Sequence, residues 1–154
     1  MDVNSILPFL DAIVKIMPEL GFQKVERGRL RVGTDNKIDS LGVMVIVGVT
    51  HQLRGNVAYN MTEESARAIA SKMMMGMPVS TFDAMAESAI SEMGNMLAAN
   101  AGMLLEKKGI KVDISPPTLV TGIICAANPD NLQRLIVEVL IDGMPMEVHL
   151  SISS

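Results

Sequence analysis

Apolar positions recur at helical spacing in NSILPFLDAIVKIMPE (4–19), where Ile6, Leu10, Ile13, Val14 and Met17 share a face. The pattern predicts a helix with Pro8 in its first turn, where a missing N–H costs little, and Gly21 as its stop. From Phe22 the period changes. FQKVERGRLRVG (22–33) alternates weakly and Gly28 interrupts it, as the turn of a hairpin would. Polar TDNKIDS (34–40) reads as a loop, and GVMVIVGVT (42–50) and GNVAYNM (55–61) read as a buried strand and its partner across the polar turn HQLR.

The helical period returns in MTEESARAIASKMMMG (61–76), with Thr62 as cap, acidic residues in the first turn, and Gly76 and Pro78 closing it. A long helix is expected from about Phe82 to Lys108, capped by Asp83 or Ser80 and ended by Gly109. The remainder is strand-like: IKVDIS (110–115), TLVTGIICAA (118–127), LQRLIVEVLID (132–142) and PMEVHLSIS (145–153), separated by Pro116–Pro117 and the turns NPDN and DGMP. The expected class is α+β, a mostly antiparallel sheet with long helices packed on one face. Strand, polar turn, arginine and strand recur from Gly42–Arg54 to Gly122–Arg134, an offset of 80. That suggests a single domain over 1–154 built from quasi-repeats of about 1–78 and 79–154, related by a pseudo-two-fold axis.

Composition sharpens this picture. Hydrophobic residues make up 49 % of the 154 and charged residues 19 %, which excludes disorder. Aromatics are 3 % and fourteen methionines replace them as filler; the apolar excess favours a homodimer. The net charge of −4, with no Lys/Arg block or aromatic ladder, argues against nucleic-acid binding. The longest apolar run (41–49) is far short of the ~20 residues of a spanning helix, and Met1 leads directly into a polar-capped helix without a leader pattern. A cytoplasmic protein is expected.

The long helix carries one unusual feature. In AESAISEMGNMLAAN (86–100), Ser88, Glu92 and Asn95 fall on one stripe, within roughly 60° of each other at about 100° per residue, flanked by small Ala84 and Ala99. Ala86, Ile90, Met93, Leu97 and Leu104 take the opposite, core-facing side. Glu92 is a fixed anion able to pair with a partner's lysine. Asn95 donates and accepts, so it can orient a water, although a neutral amide is no general base. Positioning alone accelerates hydrolysis of an already reactive bond. Taken by itself, the spacing fits an ordinary solvated face more readily than a site.

The stripe also resembles a known signature. Ser88-x3-Glu92-x2-Asn95, followed after twenty-one residues by Pro117, one short of the family spacing, is similar to the motif of the CheC–CheX–FliY phosphatases. The opening helix NSILPFLDAIVKIM, the segment GVTHQLRGNVAYNMTEESARAIASKMMMG (48–76) and the closing strands resemble CheX proteins as well. On the first helix, Phe9 and Ala12 stand where Glu and Asn would follow Ser5, so a first copy of the motif is absent, which resembles the one-site CheX members rather than two-site CheC. The resemblance implies hydrolysis of the aspartyl phosphate on a CheY-type receiver domain. Glu92 would pair with the receiver's active-site lysine and Asn95 would orient the attacking water; Ser88 and Pro117 would flank the site. It further implies a strand-exchanged homodimer, and Mg2+ held by the receiver with no cofactor in this chain. A non-catalytic receiver-binding or flagellar-switch-like scaffold is the alternative.

Other chemistry is sparse. His51 and His149 lack neighbouring Cys or carboxylate clusters for a metal. Cys125 reads as a buried core residue, MMMGM (73–77) as plastic packing, and RGRLRVG (27–33) as a solvated edge. No P-loop, GxSxG or HExxH pattern occurs.

Overall fold

The computed structural model describes residues 2–33, 37–122, 125–127 and 133–154. Helix α1 (Val3–Glu19) starts where the Asp2 side chain accepts a hydrogen bond from the Asn4 N–H. This cap precedes the predicted start, so Pro8 falls in the second turn rather than the first. The helix ends at Leu20, followed by Gly21 with φ 106°, a left-handed backbone that glycine adopts without steric cost. Its buried face is Ile6, Phe9, Leu10, Ile13, Ile16 and Met17; Val14, expected on it, is exposed.

The next segment is one strand, β1 (Val25–Gly33), not a hairpin. Its pairing with β8 (Arg134–Ile141) slips between Arg27 and Leu30, so Gly28 marks a bulge. The short β2 (Lys37–Asp39), within the predicted loop, pairs with β7 (Cys125–Ala127) as a separate two-stranded ribbon. The strands β3 (Gly42–His51) and β4 (Arg54–Thr62) form the expected antiparallel pair. Thr62 caps α2 (Glu63–Met73) by accepting from the Ser65 N–H, and Asp83 caps α3 (Ala84–Lys107) by accepting from the Ala86 N–H. The chain closes with β5 (Val112–Ile114), β6 (Thr118–Thr121), β7, β8 and β9 (Met144–Ser153). The single strand predicted over 118–127 is thus divided at Gly122, which has φ 92°. Residues 34–36 of the predicted loop and the expected NPDN turn lie outside the described residues, as does the Cys125 side chain.

The main sheet runs β1-β8-β9-β4-β3, and β5 and β6 share the outer edge of β3. The β3–β4 turn and the β8–β9 turn lie at opposite ends of the central antiparallel β4–β9 pair. Arg54 opens the second strand of its hairpin whereas Arg134 opens the first strand of the other, so the two arginines of the 80-residue offset are not counterparts.

All three helices pack on one face of the sheet. Alternate residues point into that core, Val43, Val45 and Val47 from β3, Tyr59 and Met61 from β4, Val148 and Leu150 from β9. On the opposite face, Ile38 of β2 packs on Met44 and Ala58. A polar group lies beside it. Asn60 donates to the Asp39 carbonyl at 2.8 Å and accepts from the Leu41 N–H at 2.9 Å, while Glu147 bonds Arg31 at 2.6 Å and His149 at 3.0 Å. The His149 hydrogen bond chiefly, with Arg31 adding to it, outweighs burial and holds the Glu147 carboxyl below its ordinary pKa. No described helix is long and apolar enough to cross a membrane.

Candidate active site

The 24-residue helix α3 lies with Ala86, Ile90, Met93, Leu97, Ala101 and Leu105 fully buried; Leu104, expected among them, is half-buried. That orientation turns Ser88, Glu92 and Ala99 to solvent and leaves Asn95 half-buried at the border. The depth of the helix is set by a residue not recognised in the sequence. A Cβ on Gly94 would lie 2.5 Å from Val45 Cγ1, so glycine alone permits α3 to sit this close to β3. The signal was present: a glycine inside an otherwise strong helix costs about 1 kcal/mol against alanine and implies a packing reason.

The opposite wall comes from the sheet edge. After β5 pairs with Val49–His51, the chain reaches Ser115, Pro116 and Pro117, and β6 resumes pairing at Ile46. Prolines lack the N–H a ladder needs and are confined to such edges. Ser115 bridges the interruption: its N–H donates to the Gly48 carbonyl at 2.9 Å, and its Oγ accepts from the Gly48 N–H at 2.7 Å. The bowed segment and α3 enclose an open groove of about 720 Å³, lined by Glu87, Ser88, Ser91, Glu92 and Asn95 on one side and Ile114, Ser115, Pro116, Pro117 and Leu119 on the other.

All four residues selected from the sequence, Ser88, Glu92, Asn95 and Pro117, therefore border one groove. Glu87, Ser91 and Ser115 join them and were not anticipated. Two carboxylates and no cation line the groove, and among the described residues neither the Glu92 carboxylate nor the Asn95 amide has a hydrogen-bond or ion-pair partner. Such a surface suits a cationic group brought by another molecule, with an uncommitted amide one turn away.

The first helix is different. Ser5, Phe9 and Ala12, at the spacing of a first copy of the motif, are buried in the core. The outward stripe of α1 at the same spacing is Leu7, Asp11 and Val14, which offers a carboxylate but no amide. Elsewhere, His51 is exposed and His149 is buried against Glu147. Among the described residues no group of three or more His, Cys, Asp and Glu is placed to hold a metal ion.

Comparison with known proteins agrees with this architecture. The CheY-P phosphatase CheX of Thermotoga maritima is 41 % identical over 80 residues, 52 % of each chain, so the match spans about half the length of that relative. A chain of the CheX–CheY–BeF3–Mg2+ complex from Borrelia burgdorferi is 29 % identical, with a TM-score of 0.78 over 99 % of this chain and 100 % of that one. A CheC-like superfamily protein from Shewanella sp. PV-4 shares the fold over the full length of both chains, with a TM-score of 0.88 at 22 % identity. The family profile of the chemotaxis phosphatase CheX matches residues 43–140, which hold α3, the proline segment and the greater part of the sheet. The chain belongs to the CheX family of chemotaxis phosphatases.

Proposed function

We propose that this protein hydrolyses the aspartyl phosphate of a CheY-type receiver domain, using the groove between α3 and Ser115–Pro117. The observation that carries the reading is the pairing of an unpartnered carboxylate, Glu92, with an unpartnered amide, Asn95, three residues apart on the wall of an open groove without cations. The 41 % identity to a CheY-P phosphatase and the likeness to a CheX found in complex with CheY support the same substrate class.

In this reading Glu92 forms an ion pair with the receiver's active-site lysine and sets the approach of the two proteins. Asn95 then reaches the receiver's pocket, where its carbonyl accepts from a water and its amide donates towards the phosphoryl group. Water attacks phosphorus in line, the bond from phosphorus to the aspartyl oxygen breaks, and the aspartate leaves as carboxylate. The water's proton passes to the released phosphate or to solvent. The acyl phosphate is already reactive, so positioning supplies the acceleration. Mg2+ belongs to the receiver and stabilises charge there. Ser88 and Pro117 shape the rim of the groove, and the single motif makes this a one-site enzyme. A strand-exchanged homodimer accords with the apolar composition.

The test is phosphate release from a phosphorylated receiver with no addition, with wild type and with Asn95→Ala. Wild type is expected to accelerate release, and Asn95→Ala to lose on the order of 100-fold of that acceleration while still binding a beryllofluoride-loaded receiver. Equal rates with wild type and Asn95→Ala would eliminate the amide's role. Binding without acceleration by wild type would leave a docking protein.

A further inference from the structure

The exposed stripe of α3 extends beyond its polar centre. Taking Glu92 as the reference at about 100° per residue, Met85 and Met103 both project about 20° to one side of it, while Asn95 projects about 60° to the other. Met85 is 61 % exposed and Met103 is 53 % exposed, despite a long apolar side chain on each. They lie at opposite ends of the stripe, with Ser88, Glu92, Asn95 and Ala99 between them.

We infer that Met85 and Met103 are the apolar anchors of the receiver-docking surface, gripping the partner on either side of the Glu92–Asn95 pair. The inference rests on the reading of the groove as the receiver site and assigns two residues to it that lie outside the motif. Three features single out the receiver as occupant. The methionines continue the same helical stripe, so a domain whose lysine meets Glu92 lies against the helix between them. The charge is complementary, since the adjoining groove presents Glu87 and Glu92 with no cation of its own. The span also fits: eighteen residues at 1.5 Å give about 27 Å, comparable with the width of an interface burying about 800 Å² per partner. Methionine is enriched at interfaces, and its unbranched thioether fills irregular contacts.

Both side chains project from the solvent face of a rigid helix, so Met85→Glu and Met103→Glu leave the core intact. Met75→Glu, at a methionine 98 % exposed in the α2–α3 connection, is the control. Each variant is titrated with beryllofluoride-loaded receiver and assayed for phosphate release over a range of phosphorylated receiver, with its oligomeric state recorded. The double variant Met85→Glu/Met103→Glu is expected to raise Kd and KM at least about tenfold with kcat within about twofold, the pattern of lost uniform binding, and Met75→Glu is expected to change neither. An unchanged Kd in the double variant overturns the anchor assignment even where wild type remains an active phosphatase. If wild type binds without hydrolysing, the functional reading fails while a weakened Kd still upholds the anchors. Absence of receiver binding by wild type removes both. Altered self-association with unchanged receiver affinity gives the stripe to a second copy of this chain and rejects the inference.

Discussion

Gly94→Ala is the substitution whose consequences the structure fixes most closely. The new Cβ would stand 2.5 Å from Val45 Cγ1 and 3.2 Å from Val45 Cβ. Carbon atoms settle at about 3.5–4.0 Å, so the clash is at least about 1 Å. Val45 is fully buried and paired on both sides, to Tyr59 of β4 and Leu119 of β6. Its β-branched side chain has little rotamer freedom with which to yield. The helix must therefore lift. Overpacking of this kind costs about 1–3 kcal/mol, offset by about 1 kcal/mol of helix propensity gained from alanine, for a net loss of up to about 2 kcal/mol. For a chain of this size that lowers Tm by up to about 8 °C. The functional effect is larger, because Glu92 and Asn95 flank Gly94 and a shift of about 1 Å can cost about 100-fold in rate. Gly102 provides the contrast on the same helix: its added Cβ would meet Val112 at 3.5 Å and Ile114 at 3.6 Å, ordinary contacts. Gly102→Ala is expected to raise Tm and keep the rate. Thermal melts with phosphate-release assays on both variants decide the matter. A Gly94→Ala protein as stable and as active as wild type refutes the argument that this glycine sets the depth of α3, as does a Gly102→Ala protein equally impaired.

Glu92→Gln should raise KM for phosphorylated receiver while changing kcat less than Asn95→Ala does, and the wild-type KM should climb with salt as the proposed ion pair is screened; steady-state kinetics at two ionic strengths checks both. Glu147 binds fewer protons folded than unfolded in the acid range, because its folded pKa lies below its ordinary value of 4.5. Its contribution to stability is therefore complete above that value and is lost as pH falls through the lower folded one. Urea midpoints against pH should show Glu147→Gln less stable at neutral pH and less sensitive to acidification; parallel wild-type and variant curves would contradict this. Ser115→Ala leaves the Gly48 N–H without its 2.7 Å acceptor, and should cost about 1 kcal/mol and loosen the proline wall, read as a lower Tm with reduced phosphate release.

What could be read from the chain follows from the range of the forces involved. Helix caps are local: the Thr62 and Asp83 hydroxyl and carboxylate meet N–H groups three residues on, so the starts of α2 and α3 were legible, whereas α2 ends at Met73, three residues short of the expected stretch. The outward direction of Ser88, Glu92 and Asn95 is equally local, since the apolar residues opposite them fix the rotation of the helix. Gly28 fails the same test because a bulge and a hairpin turn make identical demands on one residue; only β8, more than a hundred residues away, makes it a bulge. Helix α1 shows a subtler limit. Its apolar content is so high that Val14 passes for a core position, and a phase read from Ser5 selects buried Phe9 and Ala12 instead of half-buried Leu7 with exposed Asp11 and Val14. The groove itself was hidden for the reason the bulge was. Two prolines announce a break in a strand, but that the broken strand returns to the same edge of β3, opposite Asn95, depends on pairings with Val49–His51 and Val43–Ile46 that no local pattern specifies. The chemical groups were thus legible and their enclosure was not. Gly94 links the two: it is an interruption in the helix by propensity and, in the folded protein, the point at which α3 is allowed close enough to the sheet for the groove to exist.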